Sequence, residues 1–337
     1  MVRLAVDAMG GDHAPQAILD GCLKALEEYP DLSLVLCGDE SAIRSHLQDK
    51  SFEQKRVRIM HTTEVVTNEE SPVQAIKQKK NSSLVVGLTL AADEEVDGFV
   101  TAGSTGATLA GGTLIVRRIR GVLRPALAPV MPNKRGTGTL LIDCGANVDC
   151  KPQYLAQFGL MGSAYMEKVM GVENPRVGLL NNGAEEGKGN ELAKESFPLL
   201  KEMPINFVGN MEGRDIFTGD YDVAVADGFV GNTALKVAEG VGSMLFSMIK
   251  EEIMASFRTK VGAVLLKPAL SEISKRTDYT EYGGALLLGL NAPVVKAHGS
   301  SNANAFFNAL RQALDMVKRN VVPTIREAME EKKGIES

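Results

Sequence analysis

Short apolar runs alternate with segments of helical periodicity along almost the whole chain. Leu4 and Val6 stand in a brief run without helical spacing, and 32–37 is a nearly continuous apolar run. Between such runs, apolar residues recur at helical spacing, as in 17–29 and 154–169. The first kind of run is typical of strands, and the second kind predicts helices. The alternation therefore predicts an α/β fold of three layers, in which helices cover both faces of a mostly parallel sheet.

The length of the chain allows one large α/β domain or two smaller ones. We expect a single large domain over residues 1–337, with a helical protrusion at about 240–282. The long apolar and helical pattern that follows residue 234 is the reason for placing the protrusion there.

Six predicted strands run into polar, glycine-containing corners. These corners are 8–15, 102–107, 143–149, 182–190, 227–233 and 297–302. Right-handed crossovers bring the carboxyl ends of parallel strands to one edge of a sheet, where ligands of α/β proteins bind. We therefore expect the corners to converge on one site. Free N–H groups at the helix starts favour an anion there, although the first corner alone is equally compatible with an ordinary turn capped by Asp12.

Composition narrows the class of ligand. The chain carries a formal net charge of −5, no tryptophan and 5% aromatic residues. This balance argues against a nucleic-acid partner, because a basic surface and stacking side chains are both scarce. The sequence has no basic-then-apolar leader and no apolar run of membrane-spanning length, and its four cysteines form no Cys-x-x-Cys pair. We expect a cytoplasmic protein with reduced thiols, soluble or attached to a membrane surface.

Common nucleotide, metal and hydrolase motifs do not fit. The stretch 183–189 is one residue short of a P-loop, and Gly189 stands where a magnesium-binding Ser or Thr is required. No dinucleotide fingerprint follows the first strand, and the four histidines lack the spacing of metal ligands. Ser104 does not stand in a Gly-x-Ser-x-Gly elbow. The remaining donors are hydroxyls, amides, one lysine and main-chain N–H groups, which suit inorganic phosphate or an acyl phosphate. We expect no metal and no cofactor.

The corner motifs resemble those of the PlsX family of phosphate acyltransferases, and they occur in the family's order. The matching stretches are Asp7–Asp12, Ala102–Ala107, Asp143–Asp149, Leu180–Gly189, Asp227–Asn232, Gly283–Gly289 and His298–Ser300. Ser104 replaces an expected Asn, and Leu286 replaces an expected Pro. The resemblance implies transfer of an acyl group from acyl carrier protein to inorganic phosphate during phospholipid synthesis. It also implies a fold similar to the phosphate acetyltransferases and the isocitrate dehydrogenase group, and a homodimer without metal or nucleotide.

Phosphate is already nucleophilic, so this reaction requires positioning and electrostatic stabilisation rather than a covalent intermediate. We hypothesise that Lys188 anchors phosphate, that Asp227 orients it and that His298 protonates the departing thiolate, with Asn232 as a neutral donor. A turn-capping role for Asp227 and a structural hydrogen bond for His298 remain alternatives. The expected phosphate-binding residues are Gly10, Gly11, Asp12, Ser104, Thr105, Asn147, Thr233 and Ser300.

Two further surfaces are candidates for binding partners. Arg120, Arg124 and Arg135 belong to a basic cluster that could steer an acidic carrier protein, although neighbouring arginines could simply complement a helix dipole. The apolar stretch 261–270 has basic residues on both sides and could lie in a bilayer interface, handing acyl phosphate to a downstream membrane acyltransferase. A dimer contact is an equal alternative. The expected membrane residues are Val264, Leu265, Leu266 and Leu270.

Three other functions stay open on the sequence. A phosphate acetyltransferase that uses coenzyme A is the nearest alternative. An NAD-dependent decarboxylating dehydrogenase of similar fold would need a metal-binding acid cluster and a nicotinamide pocket, and neither is apparent. The third alternative is a scaffold that binds carrier protein without catalysis, which detection of acyl phosphate as hydroxamate would exclude.

Overall fold

The computed structural model describes residues 1–277 and 283–335, with the side chains of 1–273 and 283–331. The strands are β1 Val2–Asp7, β2 Leu32–Gly38, β3 Val57–His61, β4 Gly98–Thr101, β5 Ala126–Ala128, β6 Val130–Met131, β7 Thr139–Ile142, β8 Arg176–Asn181, β9 Asn206–Glu212, β10 Val223–Val225, β11 Ala285–Leu288 and β12 Val294–Lys296. The α-helices are α1 Gln16–Glu28, α2 Glu40–Leu47, α3 Pro72–Gln78, α4 Ser83–Ala92, α5 Thr105–Gly111, α6 Pro152–Lys168, α7 Glu191–Lys201, α8 Gly228–Met254, α9 Phe257–Thr277, α10 Ala303–Lys318 and α11 Val321–Ile335.

The strands form two sheets. A seven-stranded sheet has the order β3-β2-β1-β4-β12-β11-β5, and a five-stranded sheet has the order β6-β7-β10-β8-β9. Most neighbours are parallel; the antiparallel pairs are β11 with β12 and β5, and β6 with β7. The predicted α/β fold with mostly parallel strands is therefore confirmed. The sequence pattern did not, however, separate the strands into two sheets.

The chain passes between the sheets at Pro129. The run 126–131 has the pattern of a single strand, but it is divided into β5 of the first sheet and β6 of the second. A proline lacks the N–H that a continuous strand would donate to its ladder. The Pro129 carbonyl still accepts a hydrogen bond from Leu141 N at 3.0 Å. The two sheets therefore adjoin where β5 ends and β6 begins.

One buried cluster contains side chains of both sheets. Val6 of the first sheet and Leu140 of the second are fully buried in it, and so are Phe158 of α6 and Phe306 of α10. A cluster of this kind has the character of a single hydrophobic core rather than of two separate ones. It supports the expected single domain, which stays a prediction.

Helices α8 and α9 pack against each other and expose many apolar side chains. Helix α8 has 27 residues, and a helix of that length spans about 40 Å. The side chains of Met244, Leu245, Phe257 and Leu265 are exposed. We call residues 240–277 the helical arm; they correspond to most of the expected protrusion, whose residues 278–282 lie outside the described part. Among the described helices, none is both long and apolar enough to cross a bilayer.

Candidate active site

A cavity of about 420 Å³ opens between the two sheets. Helix α5 and the end of β12 line it from the first sheet, while β6 and α8 line it from the second. Its polar side chains include those of Thr105, Asn232, Lys236, Glu239, Lys296, His298 and Ser301. Its apolar side chains include those of Leu109, Leu127, Val130, Met131 and Leu235. The cavity can therefore hold a polar group at one place and a hydrocarbon chain at another.

The first and second corners meet around Asp7 at the end of β1. Its Oδ2 accepts a hydrogen bond from the Thr101 hydroxyl at 2.7 Å, and that hydroxyl oxygen accepts one from Gly103 N at 2.8 Å. A Cβ on Gly10 would lie 2.3 Å from Asp7 Oδ2, so a side chain cannot fit between the corners. Burial raises the pKa of Asp7 above its usual value. Gly10 therefore allows the close approach of two corners, and it does not line the cavity.

The sixth corner packs against the same pair. Asp12 N donates to the carbonyl of Gly299 at 2.8 Å. Gly11 has a φ of +109°, and a Cβ there would lie 2.9 Å from the Ala102 Cβ. Gly11 and Asp12 thus join three corners beneath the cavity, although neither is among its lining residues.

The third and fifth corners meet around Asp143, which is fully buried at the end of β7. Its Oδ1 accepts from Leu127 N at 2.9 Å and from Ala146 N at 3.1 Å. Its Oδ2 accepts from the main-chain N–H and the side-chain amide of Asn147, at 2.6 and 2.9 Å. Burial raises the pKa of Asp143, against the effect of these hydrogen bonds. Because Leu127 belongs to β5, this carboxyl group also ties the two sheets together.

Helix α8 begins directly at the fifth corner. Asp227 Oδ1 accepts from Phe229 N at 2.9 Å and from Val230 N at 2.8 Å, so Asp227 is its N-cap. The capping alternative for Asp227 is thus present in the structure, and the side chain is not among those that line the cavity. Asn232 and Thr233 lie in the first turns of the helix rather than in the loop before it. Asn232 lines the cavity, whereas the Thr233 hydroxyl donates to the Phe229 carbonyl at 2.7 Å.

The fourth corner lies beside a second pocket of about 380 Å³. Asn182, Gly189, Asn190 and Asp227 line this pocket. The Lys188 carbonyl accepts a hydrogen bond from Asn181 Nδ2 at 3.1 Å, and the Lys188 side chain is exposed. Along α8, Val230 contacts the second pocket while Asn232 lines the first. The structure therefore separates Lys188 from the cavity by the first turns of α8.

Of the other predicted phosphate ligands, only Thr105 lines the cavity. Ser104 is 7% exposed and caps α5, and its hydroxyl oxygen accepts from Ala107 N at 3.4 Å. The side-chain amide of Asn147 donates to the Pro125 carbonyl at 2.8 Å. The hydroxyl and the main-chain N–H of Ser300 are both hydrogen-bonded to His298 Nδ1. These side chains build the corners rather than the surface of the cavity.

The ring of His298 is exposed at the edge of the cavity. Its Nδ1 lies 2.8 Å from the Ser300 hydroxyl and accepts from Ser300 N at 3.2 Å. A main-chain N–H can only donate, so Nδ1 must be the acceptor and the neutral ring carries its proton on Nε2. The Nε2–H of neutral His298 can therefore donate a hydrogen bond to a departing sulfur without breaking the bond to Ser300.

Sequence reasoning missed the lysines of the cavity. Lys296 is 6% exposed, and its Nζ donates to the carbonyls of Ala102, at 3.3 Å, and Ala297. Burial lowers the pKa of Lys296 to about 8. The sequence feature that could have identified Lys296 is its position at the end of an otherwise apolar strand, directly before a polar corner. Lys236 forms an ion pair of 2.8 Å with Glu239 on α8. Its helical spacing from Asn232, one turn earlier, could have identified it from the sequence.

The predicted docking arginines lie outside the cavity and are exposed. The Arg124 guanidinium lies 5.8 Å from the centre of the Tyr154 ring, and Arg135 pairs with Asp220 at 2.5 Å. Arg120 forms no ion pair with the residues that the structure describes. Arg120 and Arg124 therefore keep more of their charge available for a partner than Arg135 does.

The predicted membrane residues belong to α9. Val264 and Leu265 are 71% and 79% exposed, Leu266 is exposed too, and Leu270 is half-buried. Within the described part of the chain, no group of three or more His, Cys, Asp or Glu side chains is placed to hold a metal ion.

Comparison with known proteins gives the family. A family model described as "Fatty acid synthesis protein" matches residues 2–324. A phosphate acyltransferase of Bacillus cereus (strain G9842) is 52% identical over 329 residues, which cover 98% of each chain. A phosphate acyltransferase of Bacillus mycoides (strain KBAB4) is 51% identical over the same length and coverage.

Solved structures share the fold at low sequence identity. A phosphotransacetylase from Streptococcus pyogenes aligns over 98% of this chain and 94% of its own, with 18% identity and a TM-score of 0.59. A branched-chain phosphotransacylase from Enterococcus faecalis aligns over 94% of this chain and 100% of its own, with 17% identity and a TM-score of 0.56. These likenesses confirm the predicted fold group.

The sequence relatives confirm the resemblance that the corner motifs indicated. The family model and the relatives both extend over nearly the whole chain, so they include all six corners. The chain therefore belongs to the PlsX family of fatty acid synthesis proteins, in which its relatives are phosphate acyltransferases.

Proposed function

We propose that this chain transfers a fatty acyl group from acyl carrier protein to inorganic phosphate, giving acyl phosphate for phospholipid synthesis. The observation that carries the proposal is the mixed lining of the cavity between the sheets. Thr105, Asn232 and His298 supply donors, while Leu109 and Val130 belong to an apolar wall beside them. Acyl transfer to phosphate requires an anion and an acyl chain to bind next to each other, and a lining of this kind accommodates both. The names of the family relatives give the same pair of substrates.

The reaction needs no group beyond the two substrates and the side chains of the cavity. An oxygen of HPO₄²⁻ attacks the thioester carbonyl carbon, a C–O bond forms and the C–S bond breaks. The proton of the phosphate ends on the sulfur, so atoms and charge balance. We assign Asn232 to the carbonyl oxygen as negative charge develops there. We assign His298 Nε2–H to the departing sulfur as a hydrogen-bond donor, which stabilises the thiolate until it takes up the phosphate proton.

The other proposed residues act around this centre. Thr105 is the neutral donor from the first sheet. Asp227 lines the second pocket, and Lys188 directly precedes Gly189, which lines it too. The proposed contacts of Lys188 and Asp227 with phosphate therefore require the phosphate to reach the first turn of α8. The proposal further includes a cytoplasmic homodimer that attaches to the membrane surface and passes acyl phosphate to a membrane acyltransferase.

Acyl phosphate formation tests the proposal directly. The purified protein is incubated with inorganic phosphate and either long-chain acyl carrier protein or short-chain acyl-CoA, and the product is trapped with hydroxylamine. We expect phosphate-dependent hydroxamate from the carrier-bound substrate. Hydroxamate from acyl-CoA alone would instead indicate a phosphate acetyltransferase, and none from either would contradict acyl transfer.

Reversal of the docking charges should weaken the use of carrier protein. In the double variant Arg120→Glu, Arg124→Glu, we expect the KM for acyl carrier protein to rise about 10-fold at low salt and to lose most of its salt dependence. The matched control is Lys194→Glu, Lys201→Glu on α7, which changes the charge equally at two exposed lysines. An unchanged salt dependence in the Arg120 and Arg124 variant would remove this surface from docking.

Charges placed on the helical arm should abolish membrane attachment. We expect Leu265→Glu, Leu266→Glu to lose flotation with vesicles of anionic phospholipid, because two exposed apolar side chains are replaced by carboxylates. Val208→Glu, at an exposed apolar position on β9, is the control and should float like the wild type. If the double variant floats unchanged but sediments as a monomer, this stretch is a dimer contact instead.

A further inference from the structure

The cavity contains a buried hydroxyl without a hydrogen-bond partner. Ser301 is 5% exposed and lines the cavity. Its Oγ has no hydrogen-bond partner within the described part of the chain. An unpaired buried hydroxyl is costly, so it is expected to serve a ligand. The serine precedes the N-cap of α10, a helix of 16 residues, and Ala305 in the first turn of that helix also lines the cavity.

Lys296 brings a positive charge to the same wall. Its side chain is almost fully buried, yet it is one of the cavity's lining residues. Two main-chain carbonyls accept hydrogen bonds from Nζ, and an ammonium group has three N–H donors. The lysine forms no ion pair with a described carboxylate, although Asp7 and Asp12 lie close enough to raise its pKa. One N–H donor of Lys296 is therefore left for a ligand.

From Lys296, Ser301 and the first turn of α10, we infer a subsite for inorganic phosphate on the first-sheet wall of the cavity. The inference rests on the proposed function and places its phosphate at residues that were not among the expected phosphate-binding ones, although Ser301 lies in the sixth corner. The ammonium group and the hydroxyl donate hydrogen bonds, and the ammonium and the helix N-terminus supply positive charge. A tetrahedral oxyanion is stabilised by both. Asn232 projects from α8 on the opposite wall, so phosphate and the acyl carbonyl approach from two sides.

The subsite is distinct from the fourth corner. Lys188 is exposed and lies beyond the first turns of α8, whereas Lys296 is buried within the cavity. A desolvated ammonium attracts an anion more strongly than an exposed one, because water and salt screen it less. Phosphate affinity should therefore depend on Lys296 more than on Lys188.

Phosphate binding to neutral variants tests the subsite. We expect Lys296→Met to raise the Kd of inorganic phosphate about 10- to 100-fold, and Ser301→Ala about 2- to 10-fold, measured by titration calorimetry on the full chain. Lys188→Met is the comparison and should change the Kd less than Lys296→Met does. Ser301→Ala removes a hydroxyl without a partner, so the fold loses no hydrogen bond; thermal melting checks both variants.

The pH dependence gives a readout that a structural role would not produce. The amine is charged below a pH of about 8 and loses its charge above it. The ratio of the Kd values of Lys296→Met and wild type should therefore fall as pH rises through this range. Asp7, Asp12 and Lys236 influence Lys296, and Glu239 and His298 line the same cavity, but these five groups are common to both proteins.

The outcomes separate the subsite from the proposed function. If the wild type forms acyl phosphate while both Lys296→Met and Ser301→Ala bind phosphate with its Kd, the subsite is wrong and acyl transfer stands. If the wild type forms no acyl phosphate, the proposed function fails first. The subsite is supported if both variants bind phosphate more weakly and the ratio of the Kd values of Lys296→Met and wild type falls as the pH rises.

Discussion

Replacement of Asn232 by Ala should lower kcat for acyl phosphate formation by about 100- to 1000-fold, the cost of removing one donor to a developing oxyanion. Asn232 is an exposed side chain on the wall of the cavity, opposite Lys296, and a Cβ at Gly145 would lie 3.6 Å from its Cγ. The KM for phosphate should change little, because the amide is assigned to the carbonyl oxygen in the transition state. Steady-state kinetics with acyl carrier protein and phosphate measures both.

The matched control for Asn232→Ala is Asn206→Ala. Asn206 is in β9, and its amide donates to the Asn174 carbonyl at 3.0 Å, away from the cavity. This variant should retain at least about half of the wild-type kcat, since surface substitutions have small effects. A kcat in Asn232→Ala within about threefold of the control would take Asn232 out of catalysis.

Gly231→Ala should lower the free energy of unfolding by at least about 3 kcal/mol and abolish activity. A Cβ at this position would lie 1.9 Å from the main-chain oxygen of Asp143, so α8 would have to move away from the third corner. That movement would displace Asn232, the next residue, and disturb the hydrogen bonds that Asp143 makes. Urea unfolding of the variant and the wild type measures the loss.

Gly240→Ala is the matched control, because it makes the same substitution in the same helix at a position that does not face Asp143. No atom lies within 4 Å of a Cβ built at Gly240. Because alanine favours a helix more than glycine does, this variant should be as stable as the wild type or more stable by up to about 1 kcal/mol. Equal losses of stability in the two variants would show that the contact between α8 and Asp143 does not hold the corners together.

The corners were predictable because each depends on local chemistry. A glycine beside polar residues at the end of an apolar run marks a turn after a strand, and the crossover rule brings parallel strand ends together. Four of the six corners line the cavity, where they place Thr105, Asn232 and His298. The first corner packs against the sixth through the bond from Asp12 N to the Gly299 carbonyl, without lining the cavity itself. The fourth corner lies beyond α8 because that helix begins at Gly228, within the fifth corner, and separates the two pockets.

The division into two sheets was not predictable from the pattern of apolar residues. The run 126–131 is apolar throughout, and only the missing N–H of Pro129 indicates that it breaks. Lys296 was overlooked for a related reason. Its strand has the apolar pattern of a buried strand, and a single lysine at the end of such a strand does not by itself indicate a function. Only the structure shows what surrounds the lysine. Ser301 lies in the sixth corner, but nothing in the sequence set it apart from Ser300, because a missing partner is visible only in three dimensions.

The cavity between the two sheets is the proposed place where phosphate meets the acyl carbonyl. A crystal structure of the protein with bound inorganic phosphate tests this most directly. We predict tetrahedral density within hydrogen-bonding distance of Lys296 Nζ and Ser301 Oγ, on the wall that faces Asn232. Phosphate density only in the second pocket beside Lys188 and Asp227 would contradict that placement and move the site to the other side of α8.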